Sequence, residues 1–83
     1  MTQYVLKTTI EEADAIAKGY KSFIFRGDQY KYGYGDNILF QVYSGQKMKR
    51  HDIDRMKFMV TYVSDEAPIE PGYRVIGLTR CPK

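Results

Sequence analysis

The sequence lacks tryptophan and long apolar runs, and it contains a single histidine, His51, and a single cysteine, Cys81. One cysteine cannot form an internal disulfide, so the chain suits a reducing compartment and we expect a cytoplasmic protein. His51 has no second histidine or nearby cysteine to complete a zinc site, so we expect an exposed loop residue and no metal. Neither a signal peptide nor an apolar stretch of the roughly 20 residues that span a membrane is recognisable. We therefore expect no membrane association and no cofactor.

The composition is typical of one small globular domain. The chain has 83 residues, of which 43% are hydrophobic, and it carries a net charge of +3 with a pI near 9.0. We expect residues 1–83 to form a single domain, because a chain of this length supports only one core. The mildly basic charge is compatible with a polyanionic ligand without requiring one. Eight tyrosines are the most unusual feature, since a tyrosine ring can either cover a sheet or stack on a nucleobase.

The apolar patterns predict a strand, a helix and then four further strands. Thr9 and Glu12 fit a capping box at the start of a helix that ends before Gly19. Alternating apolar residues and turn signals predict strands at 4–7, 22–26, 38–43, 58–63 and 73–78. This order predicts an α+β fold, a small mixed β-barrel of about five strands with one helix between strands 1 and 2.

The second strand determines which side chains are available for function. Successive residues of a strand face opposite sides, so Phe23 and Phe25 share one face while Ile24 and Arg26 share the other. We expect the two phenylalanines to fill the core, and we expect function on the opposite face, with Lys21 at its edge. The rest of the predicted core consists of Ile10, Ile16, Ile38, Phe40, Val42, Val60, Tyr62 and Val75.

A short motif in this region carries a resemblance to a known family. Gly19, Lys21 and Arg26 stand at the spacing G-x-K-x-x-x-x-R, and a Gly-Asp pair at 35–36 precedes the next strand. With the strand that closes the chain, this arrangement resembles the ASCH domain group of the PUA-like superfamily, especially its small single-domain members. The resemblance implies a PUA-like barrel with a cleft beside it that holds nucleic acid.

The sequence departs from the family pattern at the position most relevant to catalysis. Ile24 stands where many family members have Glu and where the amidohydrolase-type members have Thr, and Gln29-Tyr30 stands where the family has an Asp-Arg pair. An isoleucine side chain can neither form a hydrogen bond nor transfer a proton. This departure disfavours an enzyme but leaves the question open, and Lys21 is the catalytic residue if the protein is an enzyme.

The first functional hypothesis is binding of RNA or a modified nucleotide in a basic, tyrosine-rich cleft. Its predicted binding residues are Lys21, Ser22, Arg26, Tyr30, Lys31 and Tyr32. The cations would contact phosphates and the tyrosines would stack on unpaired bases. A secondary basic patch is predicted at Lys47, Lys49 and Arg50, provided that it folds onto the same side of the domain.

Two alternatives belong to other classes of function. The resemblance implies a small amidohydrolase acting on acylated nucleosides such as N4-acetylcytidine, with Lys21 as base. Ser22 could replace the missing hydroxyl only if the strand were bulged, and Asp52 or Asp54 would be the acid partner. The third hypothesis is a small protein-interaction module, possibly phage-derived, that binds a partner through its tyrosine-rich face. One concave pocket lined by residues 21, 22, 24 and 26 would favour the first two hypotheses.

Overall fold

The computed structural model describes residues 2–27, 30–66 and 71–81. These residues form a small mixed α/β fold with one six-stranded sheet and one α-helix. The elements, in chain order, are β1 Gln3–Thr8, α1 Ile10–Ala17, β2 Phe23–Arg26, β3 Asn37–Ser44, β4 Lys47–Lys49, a 3-10 helix Asp52–Arg55, β5 Phe58–Ser64 and β6 Arg74–Arg80. Strands β1, β2, β3, β5 and β6 and the helix between β1 and β2 confirm the predicted order of elements.

The six strands form one sheet that does not close into a barrel. The order along the sheet is β1-β3-β5-β6-β2, and β4 pairs with β3 outside this path. Among the described strands, only β1 and β3 run parallel, and α1 and β2 form the long connection that such a pair requires; the other pairs are antiparallel. The sequence does not predict β4, since its basic residues show no apolar alternation and main-chain pairing alone holds it beside β3.

Helix α1 begins at an N-cap but lacks the predicted capping box. The Thr9 hydroxyl accepts a hydrogen bond from the Glu12 amide at 3.2 Å, which satisfies one of the unpaired donors of the first turn. The Glu12 carboxylate turns away from the helix and contacts other side chains instead. Ala13 and Ile16 face the core, whereas Ile10, predicted to be buried, is exposed at the surface.

The predicted register of β2 is wrong. Ile24 is fully buried, whereas Phe23 is 41% and Phe25 is 48% exposed. Because β2 carries apolar residues on both faces, alternation alone cannot decide which face meets the core. The aromatic volume of the core comes instead from Phe40 and Phe58, whose ring centroids lie 5.6 Å apart.

The remaining predicted core residues have mixed outcomes. Burial of Ile16, Ile38, Phe40, Val42 and Val60 is confirmed. Tyr62 is 59% exposed, although it lies two residues after Val60, because the β5–β6 register shifts between these two residues. Gly77 permits this bulge, since a Cβ atom there would lie 3.0 Å from Thr61 Oγ1. Val75 is only partly buried.

The Gly-Asp pair before β3 forms a turn that Asp36 stabilises. Gly35 has a φ of 89°, a conformation that glycine adopts without steric cost. The Asp36 carboxylate accepts hydrogen bonds from the Thr2 amide at 3.1 Å and the Gly33 amide at 2.9 Å. These two amides hold the pKa of Asp36 below its ordinary value. The turn thereby sets the start of β3 beside β1.

Candidate functional site

A cleft of about 590 Å³ opens where the end of β1, the start of α1 and the β3–β4 turn meet. Clefts of this size accommodate small ligands such as a nucleotide. Its lining combines two cations, one carboxylate, one amide and three hydroxyls, one of them on an aromatic ring, and consists of Lys7, Thr8, Thr9, Glu12, Arg26, Tyr43, Gly45 and Gln46.

Glu12 is the centre of a polar cluster on one side of the cleft. The Thr8 hydroxyl donates to Glu12 Oε1 at 2.6 Å, and Lys21 Nζ donates to Oε2 at 2.9 Å. Burial raises the pKa of Glu12, but the hydrogen bonds from Thr8 and Lys21 and the charges of its two cationic neighbours outweigh burial. That pKa is therefore lowered from its ordinary value, and the carboxylate stays ionised at neutral pH. Sequence reasoning missed Glu12 because its position in the first turn was explained by capping.

Arg26 links the two terminal strands of the sheet path at the cleft. Its Nη1 donates to the Phe25 carbonyl at 2.9 Å, and its Nη2 donates to the Lys7 carbonyl on β1 at 3.1 Å. Nη2 also lies 3.5 Å from Glu12 Oε1, and the side chain is only 18% exposed. These contacts fix the guanidinium in place, and because a guanidinium carries five N–H donors, donors remain for a ligand.

Lys7 and Tyr43 form a second contact within the cleft lining. Lys7 Nζ lies 4.9 Å from the centroid of the Tyr43 ring, within the range of a cation–π contact. The two residues meet because β1 pairs with β3 in parallel, which places Lys7 opposite Gln41, two residues before Tyr43. Sequence reasoning missed both residues, since no local pattern predicts a parallel pairing between strands that a helix and a third strand separate.

The structure does not bring the predicted tyrosine site to this cleft. Tyr32 is buried, and Tyr30 and Tyr32 pack against Tyr4 with ring centroids 5.1 and 4.7 Å from it. The Tyr4 hydroxyl also donates to the Lys31 carbonyl at 3.1 Å. These contacts lie near the start of β1, whereas the cleft lies at its end, so 30–32 are absent from the described lining. The Tyr32 ring belongs to the core cluster, and base stacking by Tyr30 or Tyr32 stays a prediction.

The other predicted residues are divided between two places. Lys21 and Ser22 line a separate depression, and Ile24 lies in the core, so the expected common pocket with Arg26 does not form. Gly45 and Gln46 of the cleft lining form the turn before β4, and the exposed strand β4 begins at Lys47. The secondary basic patch at 47, 49 and 50 is therefore exposed, and the turn before it belongs to the same cleft as Arg26.

Comparisons with known proteins assign no family to this chain. No protein-family model matches it, and no curated protein matches it significantly. The resemblance to the ASCH group therefore stays a prediction that rests on the motif at 19, 21 and 26. Function depends on the chemistry of the site residues rather than on the fold alone.

His51 is a structural residue rather than an exposed loop histidine. Its Nδ1 accepts the Ile53 amide at 3.0 Å, which caps the 3-10 helix, and its Nε2 lies 2.6 Å from Asp14 Oδ1 on α1. Asp52 and Asp54 belong to that 3-10 helix and line a different depression, whereas the carboxylate that Lys21 contacts is that of Glu12.

The described residues hold no group of three or more His, Cys, Asp or Glu side chains suited to a metal ion. Within residues 2–27, 30–66 and 71–81, no helix combines the length and hydrophobicity needed to cross a bilayer.

Proposed function

We propose that this protein is an ASCH-like domain with a PUA-like, incompletely closed barrel, and that it binds single-stranded RNA or a modified nucleotide in the cleft beside α1. The observation that carries the proposal is the fixed guanidinium of Arg26 in the same nucleotide-sized cleft as the Lys7 ammonium and the Tyr43 ring. A preorganised cation loses little conformational freedom when it meets a phosphate. The resemblance of the motif to a nucleic-acid-binding family supports the same ligand class.

The charged and aromatic residues of the cleft lining have distinct roles in this proposal. Lys7 and Arg26 contact the phosphodiester, and the Tyr43 ring packs against a base. Glu12 opposes the phosphate, because it places a negative charge beside Arg26. The exposed cations of β4 extend the positive surface beyond the turn at Gly45. Binding is expected to be modest and strongly dependent on salt, because few cations take part.

The test is a fluorescence titration of a labelled single-stranded RNA of about six nucleotides at several salt concentrations. Lys7→Gln should flatten the log–log salt slope by about 0.7, because one phosphate contact is lost. Tyr43→Ala should weaken binding by about 1–3 kcal/mol and leave the slope nearly unchanged, because stacking releases no counterions. Arg55→Gln removes an exposed cation outside the cleft lining and is the matched control. Absence of saturable wild-type binding at low salt would refute the proposal.

A second candidate function is amidohydrolysis of an acylated nucleoside, which one contact favours. The Thr8 hydroxyl, the Glu12 carboxylate and the Lys21 ammonium form a connected set, with a nucleophile 2.6 Å from a base. Thr8 Oγ would attack the acyl carbonyl while its proton passes to Glu12, and Glu12 would return that proton to the nucleoside amine as the amide bond breaks. Water would then hydrolyse the acyl-threonine ester, which releases the free acid and restores the Thr8 hydroxyl. Against this role, Thr8 is buried and Ile24 replaces the polar residue of the family.

Chromatography of N4-acetylcytidine after incubation with the protein separates the two candidates. We expect little product from the wild type, because losing one positioned acid–base group costs about 10²–10⁴ in rate. Rapid turnover that is lost in Thr8→Val and retained in Thr61→Val, which removes an exposed hydroxyl outside the described cleft lining, would place the enzyme ahead of the binding module.

A further inference from the structure

A second depression, of about 330 Å³, lies on the other side of the Glu12–Lys21 ion pair from the cleft. Three cations and two hydroxyls line it, and no carboxylate does so among the described residues. Its polar lining residues are Lys18, Lys21, Ser22, Thr79 and Arg80. A concave surface with cations and hydroxyl donors but no acid suits a phosphate group.

Exposed aromatic rings stand on the outer face of the sheet next to this depression. Phe23 lies opposite Gly77 across β2 and β6, and Gly77 lies opposite Tyr62 across β6 and β5. Residues directly opposite in antiparallel strands share a face, so Phe23 and Tyr62 stand on one row on either side of Gly77, where the small Thr61 hydroxyl also lies. Phe25 stands on the next row, with its ring centroid 5.7 Å from that of Phe23. We call Phe23, Phe25 and Tyr62 the sheet platform.

The depression and the sheet platform form one continuous surface. Lys21 Nζ lies 5.5 Å from the centroid of the Phe23 ring, which joins a cation of the depression to the first ring of the platform. Thr79 lies two residues after Gly77 in β6 and therefore faces the same side of the sheet. Lys21 also bonds Glu12, which lines the cleft, so a single ion pair separates the two sites.

We propose that the depression and the sheet platform form a second subsite for the same single-stranded nucleic acid, which occupies the cleft and continues past Lys21 onto the sheet. A phosphate binds Lys18, Lys21 and Arg80, and the adjoining bases stack on the platform. This inference rests on the proposed function of the cleft. Aromatic rings on an open sheet face that stack unpaired bases beside backbone-binding cations are a general solution for single strands.

Charge distinguishes this ligand from a second copy of the chain. A two-fold dimer through this face would bring like patches together, with Lys18, Lys21 and Arg80 of both copies crowded at its border. Like charges facing each other across an interface disfavour association. A polyanion with aromatic bases complements both the cations and the rings.

The experiment compares affinities for labelled single-stranded RNA of about three and about ten nucleotides. Phe23→Ser and Tyr62→Ser should each weaken binding of the longer RNA about 5- to 150-fold, and leave binding of the shorter RNA to the cleft unchanged. Arg80→Gln should flatten the salt slope for the longer RNA alone by about 0.7. Tyr34→Ser and Arg55→Gln remove an exposed ring and an exposed cation elsewhere and should change neither affinity. Thermal melts of every variant establish that it is folded.

The outcomes separate the subsite from the cleft. If the short RNA binds and the platform variants leave affinity for the long RNA unchanged, the subsite is refuted while the proposed function stands. If neither RNA binds the wild type, both fail. Light scattering that shows a dimer at high protein concentration, abolished by Phe23→Ser, would assign the platform to self-association and overturn the inference.

Discussion

Ile24 on β2 lies directly opposite Ile76 on β6, and both side chains are fully buried. This pair determines which face of β2 meets the core, because burial of Ile24 leaves Phe23 and Phe25 on the opposite, exposed face. A polar side chain at position 24, which the resemblance to the ASCH group would predict, would therefore enter an apolar core instead of facing the cleft.

The first prediction tests this register. Ile24→Ala should lower the free energy of unfolding by about 2–5 kcal/mol, because it leaves a cavity beside Ile76. Phe25→Ala should lower it by only about 1 kcal/mol, because nearly half of that ring is already in water. Urea denaturation of both variants provides the comparison. A larger loss for Phe25→Ala than for Ile24→Ala would show that the register is wrong.

The second prediction concerns Glu12 and pH. Its pKa is lower in the folded chain, so its contribution to stability is fully present above the pKa of the unfolded chain and is lost as pH falls through the folded pKa. Glu12→Gln should cost about 1–3 kcal/mol at neutral pH and flatten the fall in stability below about pH 5. Thermal melts from pH 7 to acid measure both effects, and the exposed neighbour variant Glu11→Gln should behave like wild type.

The third prediction follows from the same carboxylate but concerns binding. Removing the negative charge of Glu12 leaves Arg26 without its ion-pair partner and makes the cleft more positive. Glu12→Gln should therefore bind single-stranded RNA more tightly than wild type at low salt, and the gain should vanish as salt screens the charges. Equal or weaker binding by the folded variant at low salt would count against phosphate recognition in this cleft.

The fourth prediction concerns the bond between His51 and Asp14. His51→Ala removes both the cap of the 3-10 helix and the link to α1, and should cost about 1–2 kcal/mol. His51→Asn retains a capping acceptor and should recover part of that loss. A double-mutant cycle with Asp14→Asn isolates the link itself. Zero coupling energy in that cycle would mean that the contact contributes nothing to stability.

The fifth prediction compares the contributions of Tyr30 and Tyr32 to stability, which the sequence pattern alone does not distinguish. Tyr32 is buried within the core cluster, so Tyr32→Ala should cost about 3–5 kcal/mol, the range for deleting a buried aromatic side chain. Tyr30 is 48% exposed, and Tyr30→Ala should cost clearly less in the same urea experiment. Affinity for a short RNA in the cleft should survive Tyr30→Ala, since the ring lies outside the cleft lining.

The sequence by itself determined the local structure of this protein. The N-cap at Thr9, the helix and the turn at Gly35 follow from contacts between near neighbours, and apolar alternation along the sequence indicates the five longer strands. Lys21 and Arg26 were likewise recognised as charged residues beside a strand. Strand β4 was not predicted, because its basic residues show no apolar alternation that would indicate a strand paired with β3.

Only the tertiary structure decided which residues meet. The apolar residues on both faces of β2 fit either register, and the sheet selects Ile24 for the core through its partner on β6. The cleft depends on contacts across long stretches of sequence: Lys7 reaches Tyr43 through a parallel pairing, and Glu12 reaches Lys21 and Arg26 across the turn after α1. Residue type indicates the chemistry that a side chain can perform, but its partners depend on how distant strands pair, which local spacing does not encode.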